Sequence, residues 1–392
     1  MRTDRRTKYL FTLLLLLLSG SMLFGVTVND LEIRIPSART AAIGGVHIAL
    51  ADDLTTLFSN PAGFRSAGPQ LSLAEITMGV SGPIFEIASL MLSGKSTDDL
   101  LADPDVQDLI KGIYAGLNLL GPISFGYVGN GLGFGIFNEL GISFSGAGTV
   151  PKVTTNIEEE FIFAGGYAFR IPLPQTWNST FDAGILLKAF INTMSSTTKD
   201  ILDLMDVFSN PAAMIMNEPF FISMGIGIDW GILYSYKEVF SVGLVCRDLP
   251  SPVQINEYSS FQGFLDDEQP VKTNDFLPID LSFGIMYKPS LGNLERYIND
   301  LKLMLDYEDI LDFLTHSESS TNPILHVGFG CELDVLQILS LRAGFYQGLL
   351  SAGLGLHLSF FTFNMAMFGT ELSTEPGMRP VYNLLLGLEF RY

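Results

Sequence analysis

The end of the chain sets the strongest constraint. Tyr382, Leu384, Leu386, Leu388, Phe390 and Tyr392 fill every second position, with Asn383, Gly387, Glu389 and Arg391 between them. A period of two puts the two sets on opposite faces of a strand. The pattern recurs upstream. Leu281, Phe283, Ile285 and Tyr287 oppose Asp280, Ser282, Gly284 and Lys288; Leu301, Leu303, Leu305 and Tyr307 oppose Lys302, Asp306 and Glu308. Leu325, Val327, Phe329, Cys331 and Leu333 oppose His326, Gly328, Gly330, Glu332 and Asp334; Leu354, Leu356, Leu358 and Phe360 oppose Gly353, Gly355, His357 and Ser359. Such a chain needs a sheet with one apolar and one polar face.

Composition decides which face looks outward. Hydrophobic residues make up 47% and charged residues 16%, with 39 Gly and a mean hydropathy of +0.33. A soluble domain carries about 25% charge. The chain is too apolar to be disordered. A net charge of −20 argues against nucleic acid, which needs clustered Lys and Arg. Beyond residue 25 no run of 18 apolar residues occurs, which argues against membrane helices. In lipid every backbone polar group must be paired internally, and the remaining solution is a closed barrel. The expected fold is therefore all-β: a transmembrane antiparallel β-barrel of 14 strands with an N-terminal hatch or plug and partly helical external loops. Strands are expected over 71–80, 117–128, 131–145, 160–171, 180–192, 220–232, 239–248, 278–288, 300–308, 323–334, 338–347, 350–359, 361–370 and 381–392. An even count returns both ends of the barrel to the periplasmic side.

The organisation reads as a signal peptide over 1–25, a hatch over 26–70 and a barrel over 71–392. Arg2, Arg5, Arg6 and Lys8 precede an apolar run from Leu10 to Leu18, followed by Ser19, Gly20 and Ser21. That order of basic, apolar and small residues is the pattern of an export signal; the alternative is an N-terminal membrane anchor. Three insertions stand out: 94–115, read as helical; 194–219, Met-rich, with Met205 and Phe208 as a candidate ligand-landing surface; and 249–277, acidic. The landing surface competes with a loop helix packed over the barrel mouth. Cys246 and Cys331 exclude a disulfide scaffold or a four-thiolate metal site.

Residues 26–70 alternate poorly. They carry Ala38-Arg39-Thr40-Ala41-Ala42-Ile43-Gly44-Gly45, then Ala49-Leu50-Ala51-Asp52-Asp53, then Asn60-Pro61-Ala62-Gly63. Gly44-Gly45 permits close backbone approach or positive φ, and Asn60-Pro61 forms a turn. Small residues with fixed turns suit a plug inside a barrel; the alternative is a periplasmic extension leading into the first strand. These motifs resemble the N-terminal region of FadL-type outer-membrane transporters of hydrophobic compounds, in particular the spirochaetal FadL-like proteins. The same pattern occurs in PorV-type barrels linked to secretion. The terminal aromatic strand resembles the one read by the outer-membrane assembly machinery. The resemblance implies passive uptake of hydrophobic small molecules such as long-chain fatty acids. The hatch at Gly44, Gly45, Asn60, Pro61 and Ala62 would gate it. The resemblance also implies a wall kink near the hatch as a lateral exit. Outer-membrane lipids and the assembly machinery are the implied partners, and the chain is expected to act as a monomer in the bacterial outer membrane. A PorV-like secretion or interaction role, and a general porin, remain open alternatives.

Pro122 and Asn138, with Gly141 beside them, are candidates for the wall kink: Pro donates no ladder bond, and Asn138 interrupts an outward apolar row. Arg170, Lys188, Arg247, Lys288, Lys302 and Arg342 fall on the lumen face, and of these Arg170, Lys188 and Arg342 are candidates for holding a carboxylate. Asp182, Asp229, Asp280, Asp306, Glu332 and Glu389 share that face, so a network of lumen ion pairs is the preferred reading for most of them. The histidines His47, His316, His326 and His357 have no metal-ligand spacing and Gly-x-Ser-x-Gly is absent. No enzyme activity, metal or cofactor is expected.

Overall fold

The computed structural model describes residues 37–83, 114–147, 152–200, 216–315 and 320–391. The expected signal peptide, the first part of the 26–70 segment, nearly all of the 94–115 insertion, and Met205 and Phe208 lie outside these residues.

Among the described residues, sixteen strand segments follow the N-terminal segment: β1 (Gln70–Ser81), β2 (Tyr114–Gly129), β3 (Leu132–Ala147), β4 (Lys152–Ile171), β5 (Ser179–Asp200), β6 (Phe220–Tyr236), β7 (Phe240–Arg247) and β8 (Pro252–Tyr258). They continue with β9 (Val271–Phe276), β10 (Asp280–Tyr287), β11 (Ile298–Tyr307), β12 (Val327–Val335), β13 (Leu339–Tyr346), β14 (Leu349–His357), β15 (Phe361–Glu371) and β16 (Pro380–Arg391). Every neighbour is antiparallel and β16 pairs with β1, which closes the ring. β7 and β8 both pair with β6, one above the other, so they are two halves of one stave. β9 and β10 form the next stave in the same way. The 16 segments thus make a 14-stranded barrel.

The strands fall close to their expected positions, with three corrections. β4 begins at Lys152 rather than at 160. β5 runs on to Asp200, into the expected 194–219 insertion, because Thr193, Ser195 and Thr197 keep pairing with β4. The 249–277 insertion is largely β-structure: β8, a short helix α3 (Phe261–Leu265) and β9. Its polar alternation, Gln254, Asn256 and Lys272, hid the strands.

Apolar side chains point out. Leu132, Phe134, Ile136 and Leu140 on β3, Ile185, Leu187 and Ile191 on β5, and Ile226, Trp230 and Ile232 on β6 are exposed. Leu305, Phe329, Leu341 and Met367 continue the belt through β11, β12, β13 and β15. A soluble monomer rarely exposes so wide an apolar surface; hydrocarbon removes the cost. Tyr167, Phe169, Trp177, Tyr236, Phe240 and Phe360 are exposed at the end of the barrel where β1 begins and β16 ends, as an aromatic girdle at the lipid–water boundary requires.

The barrel is taller on one side. β5 has 22 residues and β4 has 20, whereas β13 has 8 and β12 has 9. About 9–11 residues cross a bilayer, so the β4–β5 side projects well beyond it.

Candidate functional site

Residues 37–64 pack against the inner wall of the barrel, and Arg65, Ser66, Gly68 and Pro69 are exposed where the chain leads into β1. Helix α1 (Ala38–Ala42) rests on β13–β16, and the turns from α2 (Thr56–Ser59) through Arg65 rest on β2–β6. Contact this close demands inward glycines. A Cβ on Gly344 would stand 2.3 Å from the Gly44 nitrogen, one on Gly184 would stand 2.4 Å from the Pro61 carbonyl, and one on Gly243 would stand 2.6 Å from the Ile48 oxygen. On the segment side, Gly44 has φ +82, and its own Cβ would lie 2.5 Å from the Phe329 carbonyl. The glycines of the polar faces are therefore where the wall meets the segment.

Asn60 is fully buried and makes three bonds. Its amide donates to the Ile48 carbonyl at 3.0 Å and the Ile232 carbonyl at 3.1 Å, and its oxygen accepts from the Ala62 N–H at 3.0 Å. Pro61 and Ala62 are buried beside it and Gly45 packs on the Tyr346 ring. All five sequence candidates in this segment thus meet the lumen wall.

An ion-pair cluster ties the segment to the short side of the barrel. Arg39 donates to both Glu332 oxygens, at 2.8 and 2.6 Å, and to both Asp52 oxygens, at 2.8 and 3.0 Å; it also reaches Asp53. Lys302 bridges Glu332 at 2.8 Å and Asp52 at 2.9 Å, and Arg342 meets Glu332 at 2.7 Å. Burial works against charge at both Arg39 and Asp52. The mutual attraction prevails: it holds Arg39 well above its usual value and Asp52 well below the usual carboxylate range. The sequence motif held both halves, Arg39 among small residues and the Asp52-Asp53 pair, but their pairing went unforeseen. A lone arginine in a run of small residues was the available signal. His47 is the other unforeseen contact: it pairs with Asp306, and its Nε2 lies 2.8 Å from the Ile43 carbonyl.

The cationic candidates are all engaged. Arg170 forks onto Asp182 at 2.7 and 2.8 Å, Lys188 is buried between Asp229 and Asp248 at 3.0 and 3.1 Å, and Arg342 is held by Glu332 and Asn364. Arg247 pairs with Asp280.

The kink candidates separate. The β2–β3 register shifts between Leu120 and Ser124, across Pro122, and the β1–β2 register shifts between Ser72 and Thr77. Asn138 is buried at this break, and its oxygen accepts from the Ile123 N–H at 3.0 Å. It replaces a ladder bond that the bulge removes. Gly141 stands apart: its pairing with Asn118 and Glu158 is regular. A second break lies between β6 and β7–β8, where the Leu249 N–H reaches the Ile228 carbonyl at 2.9 Å.

A cavity of ≈ 210 Å³ lies against the segment on the side of the chain terminus. Arg39, Asp52, Lys302, Glu332, His357 and Arg391 line it, and it extends to Leu54, Phe58, Glu75 and Phe137 beside the β1–β2 break. Phe58 packs edge-on to Phe137 at 5.5 Å and borders an apolar layer of Ile162, Phe190, Val253 and Leu277.

No family model and no curated protein matches the chain. Among solved structures it is similar to the Pseudomonas putida toluene transporter TodX, at 12% identity over 92% of this chain and 98% of that one, with TM-score 0.45. A Pseudomonas aeruginosa FadL homologue gives 12% identity over 92% and 99%, with TM-score 0.45. The translocator domain of the autotransporter NalP from Neisseria meningitidis gives 8% over 83% and 88%, with TM-score 0.31.

Proposed function

We propose that this chain is a passive outer-membrane channel for hydrophobic compounds, in which residues 37–69 act as a hatch. The observation that carries the reading is that this segment packs against the inner wall of a closed barrel and is tied to it by an ion-pair cluster; release of that cluster would not require the wall to unfold. Beside the segment lie an apolar layer, a cavity and a break in the wall. An apolar solute gains roughly 0.8 kcal/mol per CH₂ on leaving water, so no energy source is required. A hatch shift would connect the apolar layer to the cavity or, through the break at Pro122, to the bilayer.

A disulfide tests this reading. A Cβ on Gly387 would lie 3.7 Å from that of Ala38, within the reach of a disulfide. In a background with Cys246 and Cys331 replaced by Ser, the pair Ala38→Cys and Gly387→Cys should stop accumulation of N-phenyl-1-naphthylamine in proteoliposomes when oxidised, and reductant should restore it. Equal accumulation in both redox states, with the bond verified, would refute hatch gating.

A second reading is a secretion-associated or protein-binding barrel. The charged lining of the cavity favours it, because a dedicated apolar path would be drier. In that case the wild-type protein would take up no apolar probe.

A further inference from the structure

We propose that the lumen above the hatch holds a receiving site for the polar head of an apolar molecule, and that this head is a hydrogen-bond donor, an amine above all, rather than a carboxylate. The inference rests on the transport reading and narrows the cargo class.

The site is one inward step above the apolar layer. Phe137 on β3, Ile162 on β4 and Phe190 on β5 belong to that layer, and the next inward residues are Glu139, Glu160 and Asn192. Glu139 and Glu160 sit directly opposite each other, with Glu158 the next inward residue on β4. Asn118 donates to Glu139 at 3.0 Å and Asn192 donates to Glu158. Glu160 is only 9% exposed, and its carboxyl has no hydrogen-bond or ion-pair partner among the described residues. Its carboxyl oxygens still reach the lumen, and an acceptor held in so narrow a setting gains from a ligand head that donates to it.

The cations complete the argument. Lys188, Arg170, Arg247, Lys302 and Arg342 are each held by carboxylates. Arg391, which has no ion-pair partner among the described residues, stands at the terminal end of the barrel on the far side of the hatch and donates to His357 at 2.8 Å. A fatty carboxylate arriving above the hatch would meet three acceptor side chains, and none of these five described cations is free to pair with it. Its chain would suit the apolar layer, but its head would not suit the ring above. An amine of the same chain length would suit both.

Displacement of N-phenyl-1-naphthylamine from the purified full chain, at mildly alkaline pH, by oleylamine, oleyl alcohol and oleate tests the inference. Oleylamine should displace the probe at a concentration roughly tenfold or more below that of oleate, with the alcohol between them. Equal or better displacement by oleate would overturn it. Failure of the probe to bind at all would remove the transport reading, and this inference with it. Glu160→Gln, with folding verified by heat-modifiable migration, should bring the amine down to the level of the alcohol and leave the alcohol unchanged. An amine advantage that survives Glu160→Gln would overturn the assignment to Glu160.

Discussion

Two buried side chains set how firmly the proposed hatch, residues 37–69, is seated. Asn60, fully buried, joins the hatch to itself and to β6 through three bonds. Asn60→Ala leaves two carbonyls and one N–H without partners, at a cost of about 2–4 kcal/mol. It should expose the hatch to limited proteolysis while the barrel band on a gel stays intact. His47 gives the seat a pH dependence. Burial opposes its charge, but Asp306, the Ile43 carbonyl and Glu308 outweigh burial and raise it above its ordinary value. A histidine raised in the folded state stabilises fully below its unfolded value of about 6.5, and that stabilisation fades as pH climbs through the raised value. Hydrogen-exchange protection of residues 43–48 should therefore fall as pH rises from mildly acid to alkaline. The fall should be absent in His47→Gln.

At the scale of elements, the breaks in the wall matter more than the regular strands. The β2 bulge is sealed by one amide: Asn138 accepts the Ile123 N–H that no neighbouring strand can take. Asn138→Leu should cost about 1–3 kcal/mol and speed exchange at Ile123. Gly141→Ala should do neither, since its added methyl meets only the Glu158 Cβ at 4.0 Å. The contrast shows what alternation can convey. Asn138 was readable because it violates the period-two rule, Pro122 because it donates no ladder bond, and Gly141 drew notice because glycine can mark a bulge. The wall strands were readable because lipid enforces apolar residues at alternate positions. β8, β9 and the far end of β5 were not, because strand that stands clear of the bilayer is free to be polar on both faces. The latch was out of reach for another reason. Arg39 and Glu332 are 293 residues apart, and no local pattern reports which carboxylate a buried arginine will meet.

Across the whole molecule, the hatch is held in two unlike ways. On the tall side, Phe64, Leu57 and Pro61 press into glycine seats, a contact that depends on shape and resists sliding. On the short side, Arg39 and Lys302 join Asp52 to Glu332, a contact that depends on charge and can be undone by one substitution. A plug fixed by shape on one side and charge on the other should swing from the charged side while its packed side holds. Arg39→Met tests this. It leaves Asp52, Asp53 and Glu332 with only Lys302 and Arg342 to offset them, and breaking such a buried pair costs about 3–5 kcal/mol. In planar bilayers the wild-type chain should be nearly silent, and Arg39→Met should open roughly tenfold or more often, in brief events that return to baseline. Arg39→Lys, which keeps the charge but loses the fork onto two carboxylates, should fall between them. Silence from Arg39→Met would mean that packing alone seats the hatch. A steady open conductance would mean that the latch holds the entire plug and not one side of it.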